Sequence, residues 1–364
     1  MQQQMFSFRR CYLIFGVIAC VMASVQVCYS QPPSGQEHQE HIAFDAYRNG
    51  QWDIYVMNAD GSGEVRLTND KDQDFGPVFS PDGRKIVYSS DRTGGIGSGL
   101  YELYEIDLYP SEGIEPVIKR LTYTSRGAYT GEPCFSPDGR RIAYFCNGDI
   151  YMMEADGTNP VQLTNAPGKD SSPSWSPDGR HVVFCTDRND EPGFDPRYSD
   201  NIEIYVLDVE HPEAAGGTVK RLTNHPTPDS RPRFSPDGTR IAFVSCRDGI
   251  LNSEIYVMNA DGSNVQRLTS NALGNALDSF PPQWEDPSGT FRNYTEYGPH
   301  ESSPVWSPDG KRIVFSSQLG CARNGSVQTE FHSQIYVTSA DTLSAPTQLT
   351  FTEYLHHPSS WIRN

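Results

Sequence analysis

The sequence predicts an all-β fold: a six-bladed β-propeller of four-stranded antiparallel blades, its ring closed by a C-terminal strand that completes the first blade. Two observations carry that expectation, a Ser-Pro-Asp-Gly turn found five times and a set of strand motifs found six times. Taken alone, 364 residues at about 150 per domain suggest two or three domains. A repeat of this kind replaces that prior with one ring.

The turns are Ser80-Pro81-Asp82-Gly83, Ser136-Pro137-Asp138-Gly139, Ser176-Pro177-Asp178-Gly179, Ser235-Pro236-Asp237-Gly238 and Ser307-Pro308-Asp309-Gly310. Each fits a type I turn, in which Pro fixes φ at the second position and Gly accepts the left-handed exit. An aromatic precedes every copy, at Phe79, Phe135, Trp175, Phe234 and Trp306, so a short strand runs into a tight hairpin each time.

The strand leaving the hairpin reads Ile42-Ala43-Phe44, Ile86-Val87-Tyr88, Ile142-Ala143-Tyr144, Val182-Val183-Phe184, Ile241-Ala242-Phe243 and Ile313-Val314-Phe315. A third strand centres on Ile54-Tyr55, Leu103-Tyr104, Ile150-Tyr151, Ile204-Tyr205, Ile255-Tyr256 and Ile335-Tyr336. A fourth ends at Thr68, Thr122, Thr164, Thr223, Thr269 and Thr350. One such unit cannot bury both of its faces, and stacking units around an axis solves this. The first unit lacks its hairpin-leading strand, while Pro358–Ile362 near the C-terminus is a leading strand without a hairpin, with Trp361 in the aromatic position. Joining the two removes the open edges of the ring.

Composition agrees with this and excludes one class of partner. With 31 Gly and 27 Pro beside 36% hydrophobic residues, the chain is rich in turns yet able to build a core. Acidic side chains outnumber basic ones 46 to 29, and only Arg9 and Arg10 fall within residues 1–30. Such a field opposes binding to nucleic acid.

Arg9-Arg10 precede an apolar run, Cys11–Val25, that is too short to span a bilayer and reads as a signal peptide over residues 1–30. Two processing sites compete. Val17-Ile18-Ala19-Cys20 resembles a lipoprotein box, with cleavage before Cys20 and a lipid anchor as the one membrane contact; Cys28-Tyr29-Ser30 suits ordinary signal peptidase. Residues 31–40 read as a flexible tether and 41–364 as the propeller, with an insertion at 270–303 between blades five and six. The expected location is outside the cytoplasm: periplasmic or outer-membrane-associated in a bacterium, otherwise secreted.

The unit P-x-[FW]-S-P-D-G … I-x-F … [DE]-I-Y … L-T resembles the propeller repeat of the TolB family, which is shared with tricorn-like and dipeptidyl-peptidase propellers. The resemblance covers residues 41–364. It implies a channel opening that accepts disordered peptide segments and metal ions. Members of the family carry an α/β domain ahead of the propeller, where only about ten residues separate leader and first blade here; no hydrolase domain of the peptidase families is recognisable.

Function is expected on one face. The hairpin turns are constant in length, whereas the loops between second and third strands are long at Ser89–Glu102, Thr186–Glu203 and Ser317–Gln334, and the insertion carries Phe280, Trp284, Phe291, Tyr294 and Tyr297. Elaboration confined to one face marks the binding side of a repeat scaffold. Those aromatics either pack over the blades or, with Trp284, Tyr294 and Tyr297 foremost, form a partner or sugar platform.

Five residues before each strand aromatic, the chain approaches the axis at Asp74, Thr130, Asp170, Asp229, Glu301 and His356. The carboxylates are read either as turn caps or as an acidic channel mouth for a cation or basic peptide. Asp70, Asp72 and Asp74 alternate as in calcium loops, but Gly76 comes one place late and Pro81 holds the twelfth position, so an EF-hand fails while a looser Ca2+ site stays open. His225, His300, His356 and His357 lie on connectors of the same face, at irregular distances from the strand aromatics. They are candidates for a transition metal, as in the oligogalacturonate lyases built on a similar propeller.

Asp53, Glu102, Asp149, Glu203 and Glu254 precede the Ile-Tyr or Leu-Tyr pairs, and Arg48, Arg92, Arg188 and Arg247 close the preceding strand in four blades. Repetition around the ring makes these scaffold, as structural ion pairs or turn caps. Cys134, Cys146, Cys185, Cys246 and Cys321 are odd in number, which excludes complete pairing, and the hairpin register expected for Cys134 places it beside Ile142, away from Cys146. The glycine-rich stretch 94–99 has no phosphate-binding spacing and reads as a loop. The leading functional expectation is a non-enzymatic, exported binding or scaffold protein that engages a protein or peptide partner in the cell envelope. The alternative is a secreted metal-dependent carbohydrate-active enzyme.

Overall fold

A computed structural model describes residues 39–94, 100–109, 117–124, 129–188, 202–248, 253–270, 302–317, 333–351 and 355–363. Within them the chain folds into six four-stranded antiparallel sheets. Blade one joins β1 (Glu40–Arg48), β2 (Gln51–Asn58) and β3 (Val65–Arg66) to a strand from the far end of the chain. Blade two is β4 (Asp74–Phe79), β5 (Lys85–Ser90), β6 (Glu102–Asp107) and β7 (Ile118–Arg120). Blade three is β8 (Thr130–Phe135), β9 (Arg141–Cys146), β10 (Asp149–Glu154) and β11 (Val161–Gln162). Blade four is β12 (Asp170–Trp175), β13 (His181–Thr186), β14 (Glu203–Asp208) and β15 (Val219–Arg221). Blade five is β16 (Asp229–Phe234), β17 (Arg240–Ser245), β18 (Glu254–Asn259) and β19 (Gln266–Arg267). Blade six is β20 (Ser302–Trp306), β21 (Arg312–Ser317), β22 (Gln334–Ser339) and β23 (Thr347–Gln348).

The last strand, β24 (Leu355–Arg363), pairs antiparallel with β1, setting Trp361 opposite Ile42, and thereby completes blade one as the sequence predicts. The inner strands β4, β8, β12, β16, β20 and β24 each touch the next around the ring, so these six line the axis.

The hairpins form because each turn closes on its own side chains. Ser Oγ donates to Asp Oδ1 at 2.5–2.6 Å in all five, and that same oxygen accepts the backbone N–H two residues on. Four residues separate the paired ends, as in Ser136 N–H to Arg141 O at 2.8 Å. That length shifts the register by one from the sequence expectation: Cys134 faces Ala143, and Phe135 faces Ile142. Cys134, Cys146, Cys185 and Cys246 are free thiols, and Cys321 lies outside the described residues.

The apolar core lies between blades, not within them. One cluster joins Ile42, Phe44, Tyr55 and Met57 of blade one to Val314, Ile335 and Leu349 of blade six, with Trp361 among them. Another joins Ala43, Ile54 and Val56 to Ile86, Tyr88 and Tyr104 of blade two. Polar contacts fix the blade angle: Trp175 Nε1 donates to Cys134 O at 3.1 Å, and Trp306 Nε1 to Arg233 O at 3.0 Å, each reaching the inner strand of the preceding blade.

Every inner strand bulges against its partner near its middle. In five of them one residue at the bulge is left-handed: Gly76, Glu132, Ser172, Arg231 and Ser303 have φ of 58°, 53°, 55°, 53° and 57°. A bulge turns a side chain out of the strand's alternation.

Candidate functional site

The face of interest carries the starts of the inner strands, the ends of the second strands and the blade connectors. Asp74, Thr130, Asp170, Asp229 and His356 all stand there at the inner-strand position expected, and all are wholly buried. Glu301 and His300, together with Trp284, Tyr294 and Tyr297, lie outside the described residues.

Burial changes what the aspartates do. Register sets Asp74, Asp170 and Asp229 opposite Ser90, Thr186 and Ser245, and the arginine two residues further folds back over each. Arg92 Nη2 lies 3.3 Å from Asp74 Oδ1, Arg188 Nη2 2.7 Å from Asp170 Oδ2 and Arg247 Nη2 2.8 Å from Asp229 Oδ2. The guanidiniums stack on ring pairs of the second and third strands, Arg92 at 4.8 Å from Tyr104 and Arg247 at 5.0 Å from Tyr256. The carboxylates therefore do not crowd one another around an open mouth. Each sits inside its own blade with its own cation. Burial pushes the Asp74 carboxyl up to about 6 against the opposing pull of Ser90 and Arg92, and it raises Asp229 too, with Arg247 opposing.

Blade three departs from this because Gly148 stands where the arginine would be, and Thr130 Oγ1 meets Cys146 Sγ at 3.7 Å. In blade one Arg48 Nη2 meets His356 Nε2 at 3.0 Å, and His356 Nδ1 lies 3.0 Å from Ser333 O. A carbonyl only accepts and a guanidinium only donates, so Nδ1 carries the proton and Nε2 accepts. Both nitrogens of His356 are thus engaged.

Arg48, Arg92, Arg188 and Arg247 are consequently not the partners of the acids before the Ile-Tyr pairs. Four of those acids take the arginine of the fourth strand instead: Arg66 Nη2 is 2.5 Å from Asp53 Oδ2, Arg120 Nη2 2.9 Å from Glu102 Oε1 and Arg221 Nη2 3.0 Å from Glu203 Oε1, and Arg267 pairs with Glu254, while Asp149 Oδ2 accepts from Gln162 Nε2 at 3.0 Å. The threonine ending each fourth strand accepts the backbone N–H of the third strand at 2.9 Å in every blade. Both ion-pair sets are scaffold.

The described histidines do not gather. His225 turns onto Thr227 Oγ1 at 2.9 Å, and His357 stacks on Trp52 with ring centroids 5.1 Å apart while Nδ1 meets Asp45 Oδ1 at 3.1 Å. Among the described residues no three His, Cys, Asp or Glu side chains come together as a metal set. Where a looser Ca2+ site stayed open, Arg92 reaches in among the aspartates, 3.2 Å from Asp70 and 3.3 Å from Asp74.

A feature that the sequence reading missed occupies this face. Six aromatic rings follow one another from blade one to blade three: Tyr47 to Trp52 at 5.4 Å, Trp52 to Phe75 at 5.4 Å, Phe75 to Tyr101 at 5.6 Å, Tyr101 to Tyr129 at 5.1 Å and Tyr129 to Phe145 at 5.6 Å. Lys169 closes the row 5.8 Å above Phe145. Tyr47 and Tyr129 remain 40% and 39% exposed. One signal was available: Phe75 stands where the other described hairpin-leading strands have Gly131, Ser171, Ser230 and Ser302. An isolated bridge between Tyr101 and Tyr129 joins blades two and three at this row.

Residues 114–194 match the family model for the TolB beta propeller domain. The fold is that of a TolB-like propeller. The chain is 28% identical over 248 residues to an uncharacterised protein of Agrobacterium fabrum, Atu1656, covering 65% of this chain and 67% of that one. It is 28% identical over 191 residues to the Tol-Pal system protein TolB of Francisella tularensis subsp. mediasiatica, covering 47% of this chain and 40% of that protein. An uncharacterised peptidase of Bacillus subtilis, YuxL, is 28% identical over 206 residues, 52% of this chain. The chain spans only 29% of YuxL. Among solved structures, TolB from Acinetobacter baumannii superposes with a TM-score of 0.59 at 20% identity, over 98% of this chain and 74% of that one. A TolB from Agrobacterium tumefaciens gives 0.57 at 21% identity, over 89% and 94%.

Proposed function

We propose that the protein is an exported, non-enzymatic binding or scaffold protein that holds a protein or peptide partner of the cell envelope on its elaborated face. The observation that carries this reading is the aromatic row from Tyr47 to Phe145, partly open on the face where the loops between second and third strands vary in length. Rings supply large contact area at low entropic cost, and clustered aromatics dominate the energetics of interfaces. Tyr123 and Phe351, 76% and 77% exposed on the connectors after blades two and six, extend the apolar surface of that face.

In this reading Asp74, Asp170, Asp229 and His356 act from below. Their pairs with Arg92, Arg188, Arg247 and Arg48 hold the loop bases in place, and partner contact is made by the rings above them. The reading also assigns partner contact to the insertion at 270–303, which contains Trp284, Tyr294, Tyr297 and Glu301. Kinship with a protein named for the Tol-Pal system supports an envelope partner. Residues 1–30 act as the export signal, with processing before Cys20 or after Ser30, and the tether ends one residue earlier than the sequence suggests, since Glu40 already belongs to β1 and pairs with Arg312 and Arg363. Among the described residues no helix is long and apolar enough to cross a membrane.

The test is partner capture from envelope extract by the wild-type protein and by the Trp52→Ala, Tyr101→Ala double variant, with melting curves as the folding control. Loss of one reproducible partner from a variant that melts normally supports the reading; equal capture by both proteins overturns it.

A further inference from the structure

Arg233 is a cation without a counter-ion. It stands on β16 one residue past the bulge, and its Nη1 donates to Pro232 O at 3.0 Å and Ser172 O at 3.5 Å. Ser172 belongs to β12, the inner strand of the neighbouring blade, so the guanidinium lies at the axis between two inner strands. No carboxylate of the described residues comes within ion-pair distance of it, whereas eleven other arginines have one. The nearest acid, Glu132, is engaged elsewhere, its Oε2 accepting the Ser172 N–H at 2.6 Å. Cys134 and Cys185 flank the site, and burial raises both thiols, which keeps them neutral. Arg233 is partly exposed, and among the described residues only its Nη1 meets a protein acceptor.

Arg231, two residues earlier at the left-handed bulge position, is exposed, and its Nη1 donates to Ser303 Oγ at 2.6 Å. It too lacks a carboxylate partner among the described residues. Depriving a cation of water without supplying an anion is expensive, and desolvation does lower the Arg233 pKa. A guanidinium with one edge open matches a planar oxyanion through two parallel hydrogen bonds.

We propose that the axial channel holds a carboxylate-binding site in which Arg233 forms the floor and Arg231 the second cationic contact, with the hydroxyl of Ser303 beside them. The carboxylate comes from a free small acid or from the side chain or C-terminus of a peptide. The inference does not rest on the aromatic row, and the two fail separately.

The test is an NMR titration of the full chain labelled at arginine Nε, using acetate as one probe and N-acetyl-glutamyl-alanine amide as the other, at constant ionic strength. The Arg233 and Arg231 signals are assigned from Arg233→Met and Arg231→Gln. Saturable shifts at both arginines, weakened at least tenfold by Arg233→Met as read at Arg231 and at least threefold by Arg231→Gln, establish the site. Acetate alone saturating identifies a free acid, and the peptide binding at least tenfold more tightly identifies a peptide carboxylate. If Arg233→Met does not fold, Arg233→Lys takes its place, retaining charge but losing the two-pronged contact, with the same required weakening. Absence of a saturable shift at Arg233 with either probe, or affinity unchanged in these variants, overturns the proposal.

Discussion

Arg188 sets Nη2 2.7 Å from Oδ2 of the wholly buried Asp170 and Nη1 2.7 Å from Oε1 of Glu213, with its own side chain 6% exposed. One cation thus ties the start of the inner strand of blade four to the short 3-10 helix Glu213–Ala215 on that blade's outer side. Replacing it by Met leaves Asp170 uncompensated in a site that already carries an unpartnered Oδ1. Breaking a buried pair from one side costs about 3–5 kcal/mol. Urea unfolding of Arg188→Met should show a loss of that order, and adding Asp170→Asn should recover part of it.

The buried acids also set the pH dependence. The Asp74 pKa rises from 3.8 to about 6 on folding, chiefly through desolvation, and those of Asp229, Glu203, Asp53 and Asp149 move the same way for the same leading cause. Between about pH 4 and 6 the folded state therefore binds more protons than the unfolded one, and stability falls as pH rises through that window. For Asp74 alone the effect is on the order of 2–3 kcal/mol, at about 1.4 kcal/mol per unit. The turn aspartates Asp138, Asp178, Asp237 and Asp309 are lowered by their serine hydrogen bonds and act oppositely, their contribution disappearing as pH drops below about 4. His41 and His225, whose pKa values burial lowers, act oppositely over part of this range, so the Asp74 contribution is read by difference: between pH 5 and 7.5 the melting temperature of Asp74→Asn should fall less, or rise more, than that of the wild type. Identical pH dependence of the two proteins would contradict this.

Two glycines separate backbone strain from blade packing. Gly50 and Gly157 share a left-handed φ, 89° and 91°, but a Cβ at Gly50 meets nothing within 4 Å, whereas at Gly157 it falls 2.6 Å from the backbone oxygen of Leu121 in the preceding blade. Gly50→Ala should cost about 1–2 kcal/mol from conformation alone. Gly157→Ala should cost clearly more, because a backbone oxygen cannot swing aside. Equal losses in chemical denaturation would show that the blades do not meet there.

Ring closure rests on β24. Trp361 is 9% exposed and belongs to the cluster between blades one and six, so Trp361→Ala should cost about 3–5 kcal/mol. Removing residues 357–364 takes most of the strand from β1, and calorimetry should then show no cooperative transition.

The fold was legible in the sequence because its determinants are local and repeated. A turn that closes on its own Ser and Asp looks the same in every copy, and the strand motifs beside it alternate as a half-buried sheet requires. Ring closure was legible for the same reason, since Trp361 falls in the aromatic position of a leading strand without a hairpin. The site was legible only by position. Spacing placed Asp74, Asp170 and Asp229 at the inner-strand start, but the partner of each is an arginine two residues beyond the opposing strand, and in blades two and five a second acid and a second arginine stand close by. Which pairs with which is a matter of fold-back geometry that spacing does not encode. The aromatic row was missed because Trp52, Phe75, Tyr101 and Tyr129 are spread over three blades and three motif positions. They become neighbours only when the blades close up around the axis.

The most direct test of the binding face is hydrogen–deuterium exchange of the protein with and without its captured partner. The account predicts protection on partner binding in the segments around Tyr47–Trp52, Phe75, Tyr101 and Tyr129, with none at the opposite face, in the turns Ser80–Gly83, Ser136–Gly139 and Ser235–Gly238. Protection confined to those turns, with the aromatic segments unchanged, would contradict it.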